Sequence, residues 1–112
     1  MMIECKLTKS GFLQIFVSEE DSSRVPSSAH IKCSKSDLES LAKVLKDALD
    51  QILEYHKKDE FSDNAVVFCE GGSSVVIYPP TQTAVLIIKG VSMNMSCNAL
   101  KKVYNRLWEV GI

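Results

Sequence analysis

The chain has 112 residues, of which 46% are hydrophobic and 24% charged, values that are typical of one globular domain spanning residues 1–112. Its 13 basic and 14 acidic residues give a net charge of −1, so no general positive field attracts nucleic acid or an anionic membrane. We find no signal peptide and no apolar run long enough to cross a bilayer, and we therefore expect a cytoplasmic protein without membrane insertion.

The chain opens with a predicted hairpin. Residues 3–7 alternate apolar and charged side chains, which is the period of a half-buried strand. A turn ending at Gly11 leads to a second strand, 12–17, which is apolar on both faces. Residues 19–28 are polar, charged and broken by Pro26, and this pattern predicts a solvated loop.

A long amphipathic helix follows over residues 34–58. Its apolar residues recur every three or four positions, and a second apolar flank contains Val44, Ala48 and Tyr55. Ser34 with Asp37 resembles a capping box, while Ser36 with Glu39 is an alternative start. A helix with this much apolar surface is expected to contact more than one neighbour.

The second half of the chain predicts three strands and a closing helix. The strands, at 65–70, 74–78 and 83–89, are joined by Gly71-Gly72-Ser73 and Pro79-Pro80-Thr81. Both faces of this meander are largely apolar, so both are expected to be covered. The closing helix begins at Ser96 or Asn98 and ends before Gly111.

No pattern of catalytic or metal-binding residues stands out, so we predict a protein that is not an enzyme and has no cofactor. His30 and Cys33 form the one close His/Cys pair, without a second cluster, and a structural role is favoured. Gly71-Gly72 precedes a strand and lacks the lysine of a phosphate-binding loop. A thiol enzyme that uses Cys33 or Cys97 remains an alternative.

The strand at 65–70 is the sequence feature that points most directly to a function. In chain order it is the first strand of the meander, and no Pro or Lys within it prevents another strand from pairing. This pattern predicts association through a sheet edge together with the wide helix. The alternative is that the edge is covered within the chain, for example by residues 31–33.

The order of elements resembles the roadblock / dynein light chain family, within the wider longin- and profilin-like group. The resemblance lies in residues 3–17 as an opening hairpin, 34–56 as a middle helix, and "VVFCEGGSSVVIYP" and "AVLIIKG" as the meander before the closing helix. It differs from the family in lacking a helix before the first strand. It implies an α+β fold with one five-stranded antiparallel sheet (β-β-α-β-β-β-α), the middle helix on one face and the C-terminal helix on the other.

The resemblance also implies a non-catalytic scaffold or adaptor that regulates small GTPases or motors, as a homodimer or as a heterodimer with a similar chain. The expected interface joins the edge strand to the outer flank of the helix, and a further exposed patch lies where the first helix is missing. The residues are Val44, Ala48, Tyr55, Ala65, Val67 and Cys69, with Phe12 and Phe16 in the further patch. The competing hypothesis is a small inhibitor or secretion-chaperone-like protein that captures one target.

Overall fold

The structure is a computed structural model that describes residues 1–19, 25–58 and 64–111, with backbone only for residues 56–58. Residues 20–24 of the predicted loop and residues 59–63, between the predicted helix and the meander, lie outside the described residues, as does the side chain of His56 in the predicted helix. The described elements are β1 (Met2–Leu7), β2 (Phe12–Ser18), β3 (Ser27–Lys32), α1 (Lys35–Lys58), β4 (Val66–Glu70), β5 (Ser73–Tyr78), β6 (Thr83–Ile88), β7 (Val91–Ser96) and α2 (Cys97–Glu109).

The strands form two antiparallel sheets, one of order β1-β2-β3 and one of order β4-β5-β6-β7. The prediction of a single five-stranded sheet is therefore wrong. Two strands were missed: β3 occupies part of the predicted loop, and β7 lies between the last predicted strand and α2. The two sheets adjoin where β3 contacts β7, and the Ser27 hydroxyl donates a hydrogen bond to the Asn94 carbonyl oxygen at 3.2 Å.

Both helices lie on the same side of the four-stranded sheet. α1 packs against β4 and β5, α2 packs against β1, β6 and β7, and the two helices contact each other. Helices on opposite faces would be separated by the sheet and could not touch, so the predicted placement on opposite faces is also wrong. One core joins the inner faces of both sheets to α1 and α2, and its largest fully buried side chains include Leu13, Leu45, Leu86 and Leu100.

Local sequence signals explain where the helices begin. Ser34 and Asp37 form the predicted box, in which the Asp37 N–H donates to Ser34 Oγ at 3.1 Å and the Ser34 N–H donates to Asp37 Oδ2 at 2.8 Å. Ser96, one of two predicted caps for α2, accepts from the Ala99 N–H at 3.0 Å. These bonds satisfy backbone donors that a helix start otherwise leaves open.

Two tight turns set the register of the four-stranded sheet. Gly71, with φ of 56°, begins the β4–β5 turn, and Lys89-Gly90, with φ of 49° and 85°, connects β6 to β7. Positive φ at both Lys89 and Gly90 is what a type I′ hairpin turn requires, whereas in the β4–β5 turn only Gly71 has positive φ. The resulting register places Val67, Val76, Val85 and Asn94 side by side in one row across the sheet.

Candidate protein-binding surface

On the side of the four-stranded sheet that faces away from the helices, none of the described strand residues is charged. Along β5, β6 and β7 buried residues alternate with half-buried or exposed ones, and along β4 half-buried residues alternate with exposed ones. The more exposed set on each strand forms this surface. We call it the uncharged face. Its residues are Val67, Cys69, Ser74, Val76, Tyr78, Thr83, Val85, Ile87, Ser92 and Asn94.

The most exposed apolar side chains of the uncharged face lie on β4 and β5. Val67 exposes 57% of its surface and Tyr78 42%. Cys69, also exposed, accepts a hydrogen bond from the Ser74 hydroxyl at 3.5 Å. Apolar side chains exposed near one another on a sheet are a feature of protein contact sites.

β4 is the edge strand of its sheet, and no described residue pairs with its outer side. The hydrogen bond from the Lys89 N–H to the Gly72 carbonyl oxygen, at 2.9 Å, makes Ser73 and Ile88 a pair without mutual hydrogen bonds. The backbone of Ser73 therefore points towards β4, where Ser73 pairs with Glu70. The backbone N–H and C=O groups of successive residues in a strand point to alternate sides. Those of Val67 and Cys69 therefore point away from β5, towards the open edge of the sheet.

The predicted interface residues fall into three groups. Ala65, Val67 and Cys69 are exposed at the β4 edge, as the prediction requires. Val44 and Ala48 expose 1% and 0%, because this flank of α1 packs into the core, so the expectation that they form an outer flank is wrong. Tyr55 is half-buried near the end of α1.

Phe12 and Phe16 are half-buried on the outward face of the three-stranded sheet. The Phe12 ring lies 4.7 Å from the His30 ring in an edge-to-face contact, and His30 Nδ1 lies 3.3 Å from Gln14 Nε2. Glu4 pairs with Phe16 across this face. This patch is polar and charged around its two aromatic rings, unlike the uncharged face that adjoins it.

The strongest apolar residues of the uncharged face, Val76, Val85 and Ile87, were not among the predicted interface residues. The signal was present, because the meander is apolar on both faces. This pattern predicts a sheet that is covered on both sides, whereas both helices pack on one side. The sequence does not show on which side of the sheet the helices pack, and this placement decides which apolar face stays exposed.

A second apolar surface lies between the helices, lined by Leu49, Ile52, Leu53 and Tyr104. The exposed Trp108 extends it through an edge-to-face contact with Tyr104, at 6.1 Å between ring centroids. Asp50 and Lys101 also line this groove, so it combines apolar and charged groups. The absence of charge distinguishes the sheet surface from this groove.

The pKa values of two of the four thiols, Cys5 and Cys33, are shifted away from thiolate formation. Burial raises the pKa of Cys5 to about 11, and burial together with the nearby Asp37 carboxylate raises the pKa of Cys33. A catalytic thiol needs the opposite shift, towards the thiolate. Among the described residues, no group of three or more His, Cys, Asp or Glu side chains is placed to hold a metal ion.

Comparison with protein-family models, with curated proteins and with solved structures gave no match. Within the described residues, neither helix is both long enough and apolar enough to span a membrane.

Proposed function

We propose that this protein is a non-catalytic protein-binding module, a scaffold or adaptor subunit, that contacts its partners through the uncharged face and the β4 edge. The observation that carries the proposal is the absence of charge from ten neighbouring outward residues in a chain in which 24% of residues are charged. Charged residues are depleted from the centres of protein interfaces. An open strand edge beside such a face provides the backbone groups by which an added strand binds.

A small GTPase is the partner class that the roadblock resemblance suggests, and it is the first class to test. The competing proposal is a small inhibitor or secretion-chaperone-like protein that captures one target. It is favoured by the contact between β3 and β7, which brings the outward faces of both sheets side by side. An extended target segment could lie across this combined surface.

Val85→Lys tests the proposed surface. Val85 lies in the row between Val76 and Asn94, at the centre of the sheet, and is half-buried. A lysine there places a charge in the middle of the contact while its side chain extends outward and leaves the core intact. We expect at least a tenfold loss in the amount of each specific partner recovered with the tagged chain, as for a central interface residue.

The matched control is Val25→Lys, the same chemical change at a residue that exposes 83% of its surface before β3. It should recover the wild-type set of partners, and both variants should keep the wild-type circular dichroism spectrum. Equal recovery by wild type and Val85→Lys would contradict the proposed surface. Recovery of one target in place of a set would favour the inhibitor or chaperone proposal.

A further inference from the structure

We propose that the groove between α1 and α2 binds an amphipathic helix of a partner protein, with basic residues on the flank that faces α1 and an acidic residue on the flank that faces α2. The groove lies on the helix side of the four-stranded sheet, opposite the uncharged face. The inference therefore goes beyond the proposed function and assigns a second binding site. The groove has a volume of about 540 Å³.

The apolar part of the groove contains side chains of the kind that dominate protein interfaces. Leu53 exposes 54% of its surface, and Trp108, the only tryptophan of the chain, exposes 60%. Tyr104 lies one helical turn before Trp108 and contacts it edge to face, so the two rings extend the groove along α2. Tryptophan and tyrosine are enriched among the residues that carry most of the binding energy of an interface. We therefore expect these three side chains to anchor the partner.

The walls of the groove favour a helix over an extended segment. Both side walls are helices, and most backbone N–H and C=O groups of a helix are used within it, so the walls present mainly side chains. An extended segment would lack backbone partners here, whereas a helix satisfies its own backbone groups. From Cys97 to Trp108 the α2 wall is about 16 Å long at 1.5 Å per residue, which matches about three turns of a bound helix.

The charges at the two rims of the groove have opposite signs. Asp50 lines the groove on α1, and the exposed Asp47 and Glu54 lie about one helical turn to either side of it. Lys101 lines the groove on α2. Asp50 and Lys101 form no ion pair with each other or with another described residue. Because complementary charges fix the orientation of a partner, these rims select a helix with basic residues towards α1 and an acidic residue towards α2.

A displayed library of helical peptides tests the charge rule. Each peptide has about 15 residues, roughly four turns, with leucine at every third or fourth position and randomised residues on both flanks. Selection on the wild-type chain should enrich peptides with basic residues on one flank and an acidic residue on the other. Selection on Lys101→Glu should enrich peptides that are basic on both flanks. Identical flanks from both selections would contradict the proposed orientation.

The fluorescence of Trp108 measures binding directly, because the chain has no other tryptophan. A peptide enriched on the wild type, made without tryptophan, should shift the emission of Trp108 to shorter wavelength as the ring is buried. Leu53→Lys should weaken this peptide at least tenfold with an unchanged circular dichroism spectrum. Lys101→Glu should weaken it about threefold, the scale of an exposed ion pair. Val25→Lys is the control and should bind as the wild type does.

A library that yields no peptide able to distinguish the wild type from Leu53→Lys would overturn the groove as a binding site. The enriched peptide should bind Val85→Lys as tightly as the wild type, because Val85 lies on the other side of the sheet. A peptide that binds Leu53→Lys normally but not Val85→Lys would place the helix on the uncharged face and overturn the inference. The proposed function is tested separately, by whether Val85→Lys loses the partners recovered with the wild type.

Discussion

Ser96 connects two parts of the chain that are far apart in sequence. Its hydroxyl accepts the Ala99 N–H and donates to the Glu19 carboxylate, and its own N–H donates to Glu19 Oε2 at 3.1 Å. The carboxylate thus lies at the positive end of the α2 dipole, where a negative charge is stabilising. Since Glu19 follows β2 directly, these bonds join the three-stranded sheet to the start of α2.

The Asp37 carboxylate binds the start of α1 as the Glu19 carboxylate binds the start of α2. Its carboxylate accepts hydrogen bonds from the Ser34 N–H, at 2.8 Å, and from Lys89 Nζ, at 3.2 Å. The bonds from Ser34 and Lys89 lower the pKa of Asp37. Lys89 also donates to the Lys32 carbonyl oxygen at 3.1 Å, so the β6–β7 turn is joined to the end of β3 and the start of α1.

Asp37→Asn should therefore reduce the free energy of unfolding at neutral pH and have less effect in acid. A carboxyl whose pKa is lowered by folding stabilises the protein above its unfolded pKa of about 4, and this contribution is lost as the pH falls through the native pKa. We expect the difference in urea midpoint between wild type and Asp37→Asn to be large at pH 7 and to shrink below about pH 4.

Asp47→Asn is the matched control for this prediction, since Asp47 is an exposed residue of the same helix. Its effect at pH 7 should be smaller than that of Asp37→Asn. A difference between wild type and Asp37→Asn that stays constant from pH 7 to pH 3 would show that the charge of Asp37 does not stabilise the fold.

Both helices were predicted from the sequence, whereas two strands, β3 and β7, were missed. α1 was predictable because its box and its apolar periodicity are local signals. β3 was missed because only Ala29 and Ile31 face the core, within a segment that resembles a loop. β7 does alternate Met93 and Met95 with polar residues, a signal that the low strand propensity of its Ser and Asn residues obscured.

The β4–β5 turn packs directly against α1, and Gly71 is where the two meet. A Cβ atom on Gly71 would lie 2.5 Å from Ser40 Oγ and 3.0 Å from Ser40 Cβ, and φ is 56°. Gly71→Ala should therefore combine backbone strain with a steric clash. We expect it to lower the free energy of unfolding by about 2–3 kcal/mol, measured by urea denaturation.

Gly90→Ala separates the two effects, because Gly90 has φ of 85° and no atom within 4 Å of its added Cβ. It should cost about 1–2 kcal/mol, the backbone component alone. Equal costs for the two variants would mean that Ser40 moves aside without penalty and that the turn does not pack closely against α1.

The sequence indicated an α+β fold but not the division of its strands into two sheets. The predicted sheet required the opening hairpin and the meander to join directly. Instead, β3 pairs with β2, β7 pairs with β6, and the two sheets adjoin through the added strands. Long-range pairing of this kind depends on which strands exist, so two missed strands changed the topology while leaving the helices in place.

α2 is the element that makes one core from two sheets, because it contacts β1 of one sheet, β6 and β7 of the other, and α1. Leu100 lies on its buried face with 0% exposure. Leu100→Ala should lower the free energy of unfolding by roughly 2–5 kcal/mol, since it leaves a cavity in a shared core. If the core is one cooperative unit, the slowest-exchanging amides of β2 and β6 should lose the same free energy of opening in hydrogen exchange.

Lys101→Ala, an exposed position on the same helix, is the control and should leave both sets of amides within about 0.5 kcal/mol of wild type. A loss confined to β6, with β2 unchanged, would contradict the single cooperative core. The two sheets would then unfold separately, and α2 would belong energetically to the four-stranded sheet alone. Equal losses would show that the three-stranded sheet depends on the same helix as the sheet that carries the proposed binding face.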